Sequence, residues 1–459
     1  MIKKILNNRF LVLYIVPFLL GLLTVFSFQP FNFSLINFFV MPSFFLLICY
    51  VKEKSKSTYR KKPYLRNLFT VGFTFAFGFY LSGIFWISYS LTFDESFKIL
   101  IPFAIILIPL FLSLFTSLTV LFVGQFISYN FSSVFLFSAS IAFSDYIRGK
   151  VLTGFPWNLW SYSWSWLTET LQIVNLVGLY AFNLLVITIF TLPAVFFFRT
   201  SNNKKLLVAT ISFFLILSNY IYGSFLINKN QALLNYLGND NKVYLKVVSP
   251  NFELEYNTSF IDMKKKLKSL IKYSEPNLDK KTLFIWPEGV FTGYSYKDIY
   301  QFRSIFKKNF GDNHLILFGI NIYDYKSKKN FNSLIVVNNK FKIINQYNKI
   351  KLVPFGEFLP FQKTLNKFGL KKITQGHLSF KAGGDQKNFI IDNISILPLI
   401  CYEIIFPELT QNASKETNLV VNISEDGWFG NSIGPHQHFT KAIFRSIEND
   451  SFLVRSANK

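Results

Sequence analysis

Residues 397–407 read LPLICYEIIFP, an apolar stretch that is interrupted by Cys401, Tyr402 and Glu403. Six other short apolar runs lie beyond residue 242, and they are VYLKVVSP, LFIWPEG, LILFGINIY, SLIVVNN, FKIINQYNK and NLVVNISED. Polar segments with a helical pattern separate some of these runs, at residues 258–273 and 298–309. Short runs rich in Val and Ile that alternate with helices predict an α/β sandwich whose strands are buried on both faces.

Several of the apolar runs have a polar residue at their carboxyl end. Glu288 follows LFIWP, Cys401 follows LPLI, and Asn422 and Glu425 follow LVV. In open α/β sheets, functional sites form at the carboxyl ends of the strands. The sequence therefore directs the search for chemistry to these residues.

The first half of the chain is much more apolar than the second. The whole chain is 51% hydrophobic and 19% aromatic, and the apolar excess is concentrated before about residue 228. This division predicts a membrane domain over residues 1–228 and a soluble domain over residues 229–459. The formal net charge is +23. The lysines are scattered and accompany no nucleic-acid-binding motif, so the charge favours an anionic bilayer over nucleic acid as the partner.

Seven apolar stretches approach the length of about 20 residues that a spanning helix needs. They lie at about residues 10–27, 33–51, 67–90, 99–127, 131–147, 171–198 and 205–227. Lys and Arg concentrate at the N-terminus and in the loops after the second and sixth stretches, which all lie on one side of the membrane. Because positively charged loops stay in the cytoplasm, seven spans place residues 229–459 outside it.

One long loop between the fifth and sixth stretches holds four of the seven tryptophans, Trp157, Trp160, Trp164 and Trp166. Tryptophan at this density is typical of the belt at the membrane–water interface, and a lip that binds lipid is the alternative. Gly154 and Pro156 in the same loop predict an irregular path there rather than a further span.

The two cysteines of the chain, Cys49 and Cys401, do not indicate a disulfide framework. A thiol becomes an effective nucleophile when a neighbouring base or cation favours the thiolate. Glu288 is a candidate for taking the proton of Cys401. Lys349 is a candidate for stabilising the thiolate and an oxyanion, together with backbone N–H groups after Cys401.

Each of these residues also has a purely structural interpretation. A cysteine in an apolar strand is commonly an inert core residue. Glu288 after a proline fits a turn or a helix N-terminus, Lys349 fits a solvated basic stretch, and Glu357 beside Gly356 fits a surface turn. Spacing alone does not bring these residues together, but their shared position at strand ends favours chemistry.

Three motifs in a fixed order carry a resemblance to known proteins. Glu288 lies in WPE, Lys349 opens KIKLVPFGE, and Cys401 opens CYE. In this order they resemble the Glu-Lys-Cys triad of the nitrilase, or carbon–nitrogen hydrolase, superfamily. The KxxLVPFGE form, the later NISEDGWFGNSIGPHQHF segment and the preceding membrane half make nearly the whole chain similar to the apolipoprotein N-acyltransferase family.

The resemblance implies a membrane domain of several helices followed by an αββα sandwich, and it implies a role for each matching residue. Cys401 would be the nucleophile, Glu288 the general base and Lys349 the cation that stabilises the tetrahedral intermediate. The residues with implied supporting or substrate-binding roles are Glu357, Tyr402 and Glu403 for support and Trp428 for lipid contact or packing.

The implied reaction moves an acyl chain from a membrane phospholipid, through a thioester, to the α-amine of the N-terminal diacylglyceryl-cysteine of an apolipoprotein. It requires no metal and no other cofactor. The implied protein is a monomer that crosses the bacterial inner membrane several times, with its catalytic domain facing the periplasm. Two other classes stay open: a membrane-anchored nitrilase-like amidase that acts on a small amide, and a non-catalytic scaffold that binds lipid.

The chain departs from the family pattern at its end. Family members continue past the block that RSANK matches, with more strand and a final spanning helix, whereas this sequence ends at Lys459. We therefore expect the chain to lack the C-terminal end of the family. A sheet without that edge would expose strand and core, so we also expect a lower stability.

Overall fold

The structure is a computed structural model, and it describes residues 6–58, 63–237, 243–255, 258–360, 379–411 and 417–459. The chain forms two compact units. The first comprises Met1–Tyr89, Ile99–Leu233 and Ser432–Glu448, and the second comprises Ser90–Lys98, Leu234–Asn431 and Asn449–Lys459. A single division at residue 228 does not describe two short segments: Ser90–Lys98 belongs to the second unit, and Ser432–Glu448 belongs to the first. The limits 1–228 and 229–459 stay a prediction for the functional domains.

The α-helices of the described residues are numbered in chain order. They are α1 Val16–Leu23, α2 Asn37–Thr58, α3 Pro63–Ile84, α4 Ile101–Val123, α5 Phe131–Lys150, α6 Thr168–Leu171, α7 Val174–Thr191, α8 Asn202–Leu237, α9 Phe260–Ser274, α10 Tyr296–Ile299, α11 Arg303–Asn309, α12 Pro407–Gln411 and α13 Gly434–Asn449. Each of the seven predicted apolar stretches coincides with one of these helices.

Five helical segments of the described chain are long and apolar enough to cross a membrane. They are Ser34–Ser55, Tyr64–Phe93, Glu95–Val123, Val174–Phe197 and Asn202–Ala232. A shorter apolar helix covers Leu11–Ser27. The prediction of seven spans therefore stays a prediction, whereas the prediction of a membrane domain built from several apolar helices is confirmed.

The helices α4 and α8 turn most of their apolar side chains outward. In the segment Glu95–Val123, which contains α4, only 17% of the apolar stretch is buried inside the protein. In Asn202–Ala232, which lies within α8, the buried share is only 6%. Phe213, Phe214 and Phe225 of α8 are all more than half exposed. A helix with apolar side chains on its outer surface is stable in a lipid environment, where those side chains avoid water.

A buried ion pair stabilises the interior of the helical unit. The Arg148 guanidinium lies 2.9 Å from the Asp145 carboxylate, and both side chains are buried. Asn183 of α7 donates a second hydrogen bond to Asp145 at 3.0 Å and accepts one from the Ser161 backbone at 3.0 Å. Charged groups within an apolar unit are tolerated when they are paired in this way, so the network fixes α5, α7 and the intervening loop together.

The interpretation of the tryptophan-rich loop as an interfacial belt is wrong for three of its four tryptophans. Trp157, Trp160 and Trp164 are 1%, 3% and 8% exposed, and only Trp166 is substantially exposed. The Trp157 indole donates a hydrogen bond to Gln437 at 2.7 Å, and the Lys441 ammonium lies 4.4 Å from its ring centre. Aromatic rings bury large areas against each other and against cations, so the cluster is part of the core.

The described residues of the second unit form two β-sheets. Its strands are β1 Tyr244–Val247, β2 Thr282–Ile285, β3 His314–Asp324, β4 Lys329–Asn338, β5 Ile343–Asn348, β6 Phe389–Ile391, β7 Ile394–Ile400, β8 Leu419–Glu425 and β9 Phe452–Asn458. The first sheet has the order β1-β2-β3-β4-β5, and the second has the order β6-β7-β8-β9. Strands β1 to β3 are parallel to each other, and so are β7 to β9, whereas the remaining pairs are antiparallel.

The two sheets share an apolar core, and helices cover the other face of the first sheet. Ile285 and Leu317 of the first sheet pack in one cluster with Ile400 and Val421 of the second. The outer face of the first sheet packs against α9 and α11. Helix α9 is amphipathic because its buried residues, Met263, Leu267, Leu270 and Ile271, recur at helical spacing. The predicted α/β sandwich is confirmed.

Candidate active site

The three residues of the predicted triad all follow the carboxyl end of a strand. Glu288 lies three residues beyond β2, Lys349 directly follows β5, and Cys401 directly follows β7. The first two strands belong to one sheet and β7 belongs to the other. Lys349 Nζ lies 3.6 Å from Glu288 Oε1, and Glu403 accepts hydrogen bonds from both the Ile400 and the Ile350 backbone, so the fold brings together segments that are far apart in the sequence.

Lys349 is a buried cation between two carboxylates. Its side chain is 1% exposed, and its Nζ lies 3.0 Å from Glu357 Oε1 and 3.6 Å from Glu288 Oε1. Burial alone would lower the pKa of the Lys349 ammonium, but the charges of Glu357 and Glu288 outweigh it and raise the pKa above its ordinary value. The lysine is therefore permanently charged, which suits a cation that stabilises an anion rather than a proton donor.

Asn332 of β4 is a site residue that the sequence analysis missed. Its Nδ2 donates hydrogen bonds to Glu288 Oε1 at 2.8 Å and to Glu357 Oε1 at 2.7 Å. Its backbone carbonyl accepts a hydrogen bond from the Lys349 backbone at 2.9 Å. One asparagine thus fixes the lysine and both carboxylates, although nothing in the sequence distinguishes it from the other asparagines of the run KNFNSLIVVNN.

Glu288 is held from two further directions. Its Oε2 accepts a hydrogen bond from the Glu425 backbone N–H at 3.2 Å. Its backbone passes so close to β3 that a Cβ at Gly319 would lie 2.7 Å from the Glu288 Cα. Only glycine leaves room for this approach, and the carboxylate is consequently held in one orientation between Asn332, Lys349 and the end of β8.

Cys401 occupies a sharp turn between β7 and the 3₁₀ helix Cys401–Ile405. Its φ is 49°, in the left-handed region that a residue with a side chain adopts only at a cost of about 1–3 kcal/mol. The residue is 8% exposed. Burial and the charge of Glu288 raise the pKa of the Cys401 thiol, and Lys349 opposes them. The resting thiol is therefore protonated and needs a base when it reacts.

Glu403 connects the Cys401 turn with the segment that carries Lys349. Its Oε2 accepts a hydrogen bond from the Ile400 backbone at 2.8 Å, and its Oε1 accepts one from the Ile350 backbone at 2.7 Å. Lys351 N–H and the Tyr347 hydroxyl also donate to Oε1, at 3.1 and 2.8 Å. Burial raises the pKa of Glu403 to about 7, although these hydrogen bonds oppose it. This carboxyl joins the ends of β5 and β7 across the two sheets.

Glu425 is a second buried carboxyl beside Glu288. It is 2% exposed and accepts hydrogen bonds from Asn458 Nδ2 at 2.8 Å and from the Gly427 backbone at 3.0 Å. A Cβ at Gly289 would lie 1.9 Å from its Oε2, so a larger residue after Glu288 would displace this carboxyl. Burial raises the pKa of Glu425 to about 8, although Asn458 and Gly427 oppose it.

The raised pKa values of Glu403 and Glu425 predict that stability falls as the pH rises. The folded protein retains protons that the unfolded chain releases above about pH 4.5, so the stabilisation is complete below that pH and is lost as the pH passes about 7 and 8. We expect the Tm of the detergent-solubilised protein to decline between pH 5 and pH 8. Glu425→Gln, which cannot ionise, should show a shallower decline, and an equal slope would contradict the prediction. Exposed Glu275→Gln is the matched control and should keep the wild-type slope.

The two predicted aromatic site residues lie in short segments that follow strands β7 and β8. Tyr402 is partly exposed and packs edge to face with Phe406, with ring centres 5.1 Å apart. Trp428 lies in the 3₁₀ turn Asp426–Phe429 after β8 and packs edge to face with Phe93 at 5.2 Å. Their roles toward a substrate stay predictions.

Comparisons with known proteins cover both halves of the chain. The family model described as the apolipoprotein N-acyltransferase N-terminal domain matches residues 20–192, and the carbon–nitrogen hydrolase model matches residues 260–459. The yeast protein Nit3 (Saccharomyces cerevisiae), a member of branch 10 of the nitrilase superfamily, is 17% identical with a TM-score of 0.33 over 47% of this chain and 75% of its own. The carbon–nitrogen hydrolase match confirms the predicted nitrilase-like character of the second domain.

Two relatives align with nearly the whole chain. The apolipoprotein N-acyltransferase of Rhodopseudomonas palustris is 28% identical in an alignment that covers 97% of this chain and 83% of the relative. The apolipoprotein N-acyltransferase of Rickettsia typhi is 30% identical in an alignment that covers 97% of this chain and 86% of the relative. With this identity along almost its full length, and with a family model matched in each half, the chain belongs to the apolipoprotein N-acyltransferase family.

Proposed function

We propose that the protein transfers an acyl chain from a membrane phospholipid to the N-terminal amine of a diacylglyceryl-modified apolipoprotein, with Cys401, Glu288 and Lys349 as its catalytic triad. The observation that carries this proposal is the buried Lys349 ammonium, 3.0 and 3.6 Å from two carboxylates, at the strand ends where Cys401 lies in a strained turn. A carboxylate base, a fixed cation and a thiol are the groups that covalent acyl transfer requires.

In the first step, Glu288 takes the proton of the Cys401 thiol as the sulfur attacks the ester carbonyl of a phospholipid. The raised pKa of the thiol supports a general base rather than a preformed thiolate. Lys349 and backbone N–H groups after Cys401 stabilise the oxyanion of the tetrahedral intermediate. The C–O ester bond breaks, the leaving alkoxide takes the proton from Glu288, and a thioester and a lysophospholipid result.

In the second step, the free α-amine of the diacylglyceryl-cysteine attacks the thioester carbonyl. Glu288 takes a proton from the amine and returns it to the departing Cys401 sulfur. An amide bond forms, the C–S bond breaks, and the product is a triacylated lipoprotein with the enzyme regenerated. The acyl chains require an apolar environment, which explains why a carbon–nitrogen hydrolase domain shares a chain with apolar helices.

The supporting residues have distinct tasks in this proposal. Glu357 balances the Lys349 charge and, through its second oxygen, accepts a hydrogen bond from the Val353 backbone at 2.8 Å. Glu403 keeps the Cys401 turn in register with the lysine segment. Tyr402 and Trp428 form apolar walls for the acyl chain. None of these tasks requires a metal or another cofactor, and we propose that the protein acts as a monomer.

Family membership does not favour the two alternatives, a small-amide amidase and a lipid-binding scaffold. The family and the five long apolar helices support a multi-pass protein of the bacterial inner membrane. We also propose that the catalytic domain faces the periplasm, because seven spans with the positively charged loops in the cytoplasm would place it there. A cysteine placed at exposed Lys326 should react with a membrane-impermeant maleimide in spheroplasts, and labelling only after lysis would contradict this orientation.

The test of the proposed function follows one labelled acyl chain through both steps. Purified full-length protein is incubated with phospholipid that carries a labelled acyl chain, and a synthetic lipopeptide with a free diacylglyceryl-cysteine amine is then added. We expect label on the protein first and on the peptide amine afterwards. The matched control is the same lipopeptide with an acetylated N-terminus, which should leave the label on the protein. Release of labelled free fatty acid at the same rate with either peptide would favour a hydrolase instead.

A further inference from the structure

A buried hydroxyl beside Cys401 has no task in the mechanism above. Ser424 lies near the end of β8 and is completely buried. In the parallel pairing of β7 with β8, Ile400 lies opposite Ile423, so Cys401 and Ser424 are the next residues of the two neighbouring segments. Burial and the charge of Glu288 raise the pKa of the Cys401 thiol, and Ser424 is among the groups that oppose them.

The same hydroxyl also has an anionic partner. Ser424 Oγ donates a hydrogen bond to Asp426 Oδ1 at 2.7 Å. Asp426 is held independently by Arg455 of β9, whose Nη2 lies 2.8 Å from Oδ1 and 2.7 Å from Oδ2. Both of these charged side chains are 5% exposed. Because Arg455 neutralises the carboxylate, Asp426 stays compensated when the serine proton points elsewhere.

The protonation state of the sulfur decides where the serine proton points. A hydroxyl has one proton and two acceptor lone pairs. While Cys401 is a thiol, its S–H can donate to Ser424 Oγ, whose own proton goes to Asp426. Once Glu288 has taken the thiol proton, the sulfur only accepts, so lone pairs of Oγ and of the thiolate would face each other unless the hydroxyl turns.

We propose that Ser424 is a positioning residue whose hydroxyl turns from Asp426 to the Cys401 sulfur as the thiolate forms, and that Arg455 permits this turn by holding Asp426. The inference rests on the proposed role of Cys401 as the nucleophile. The charged groups that act on the sulfur are Glu288 after β2, Lys349 after β5 and Asp426 after β8. Ser424 adds a neutral hydrogen-bond donor to these charged groups, so it can stabilise the thiolate without a further buried charge.

The test measures thiol reactivity, which does not depend on any lipid substrate. In a Cys49→Ala background Cys401 is the single thiol of the chain, and its alkylation by iodoacetamide is followed from pH 6 to pH 10 in full-length detergent-solubilised protein. A hydrogen bond to a charged group is worth a factor of about 10 or more. Ser424→Ala should therefore slow alkylation at pH 7 about 10-fold and move the profile to higher pH.

Two further variants distinguish the effect of the Ser424 hydroxyl on the thiol from the effect of removing any buried hydroxyl. Ser456→Ala removes another fully buried hydroxyl, which donates to the Val248 carbonyl at 2.7 Å, and should leave the profile unchanged. Asp426→Asn weakens the competing acceptor and removes a negative charge that acts on the sulfur, so it should speed alkylation, and adding Ser424→Ala should reduce that gain. An unshifted profile in Ser424→Ala, an equal shift in Ser456→Ala, or an undiminished gain in the double variant would overturn the inference. Loss of acyl transfer with a normal thiol profile would instead count against the proposed function.

Discussion

A Cys401→Ala variant should lose acyl transfer by at least about 10⁴-fold, because removal of a covalent nucleophile leaves only binding and oxyanion stabilisation. The measurement is single-turnover labelling of the purified protein with phospholipid that carries a labelled acyl chain. Wild-type protein should acquire label that hydroxylamine removes at neutral pH, as a thioester requires. The alanine variant should acquire none.

The structure offers a reason to expect a folded alanine variant. Cys401 has a φ of 49°, and alanine has the same backbone preferences there, so the cost of the left-handed conformation stays unchanged. The loss of one buried sulfur atom should lower the free energy of unfolding by about 1 kcal/mol. A Tm close to the wild-type value would then assign the lost label to chemistry and not to folding.

Cys49→Ala is the matched control, since the chain has one other cysteine. Cys49 is completely buried in α2 and is distant in sequence from every residue of the proposed triad. Its substitution should leave the label unchanged. Hydroxylamine-sensitive label of equal amount in Cys401→Ser would contradict the proposal, because a serine ester resists hydroxylamine far more than a thioester does. Label that survives in Cys401→Ala would contradict it as well.

The positions of the proposed triad residues in the fold were predictable because strand ends are visible in a sequence. An apolar run of strand length that ends in Glu288 or Cys401 places that residue at a sheet edge by a general rule of α/β folds. The seven apolar stretches are likewise recognisable by length, and each coincides with a helix. Strand β9 was not predicted, because the apolar part of FLVRSAN is only three residues long, which is shorter than the runs that indicate a strand.

Contacts between side chains were not predictable, because they depend on how distant segments pack. Asn332 contacts two carboxylates that lie 44 and 25 residues away, and its neighbours in the sequence do not distinguish it from a surface asparagine. The prediction for Trp157 was wrong for the same reason, since an indole in a core and an indole in an interfacial belt have the same sequence context. Glu403 was assigned to the site through resemblance, but its four hydrogen bonds to β5, β7 and the adjoining loop became apparent only in the structure.

The second large effect is expected for Lys349→Met, which should slow acylation by at least about 10²–10³-fold, the loss typical of one oxyanion-stabilising group. The variant should also lower the free energy of unfolding by about 3 kcal/mol, because Glu288 and Glu357 then share a buried site without a cation. Their side chains are only 14% and 12% exposed, so water screens them weakly. Single-turnover labelling and denaturant unfolding measure the two effects separately.

A double variant distinguishes catalysis from structural support in Lys349. Adding Glu357→Gln removes one of the two stranded charges, so it should restore much of the lost stability, but it should restore none of the acylation rate. Lys351→Met is the control: this lysine is 35% exposed and pairs with Glu408 at 3.4 Å, so its loss should cost less than about 1 kcal/mol and leave acylation unchanged. If stability and acylation recover together in the double variant, Lys349 supports the fold alone, and the oxyanion must be stabilised by other groups.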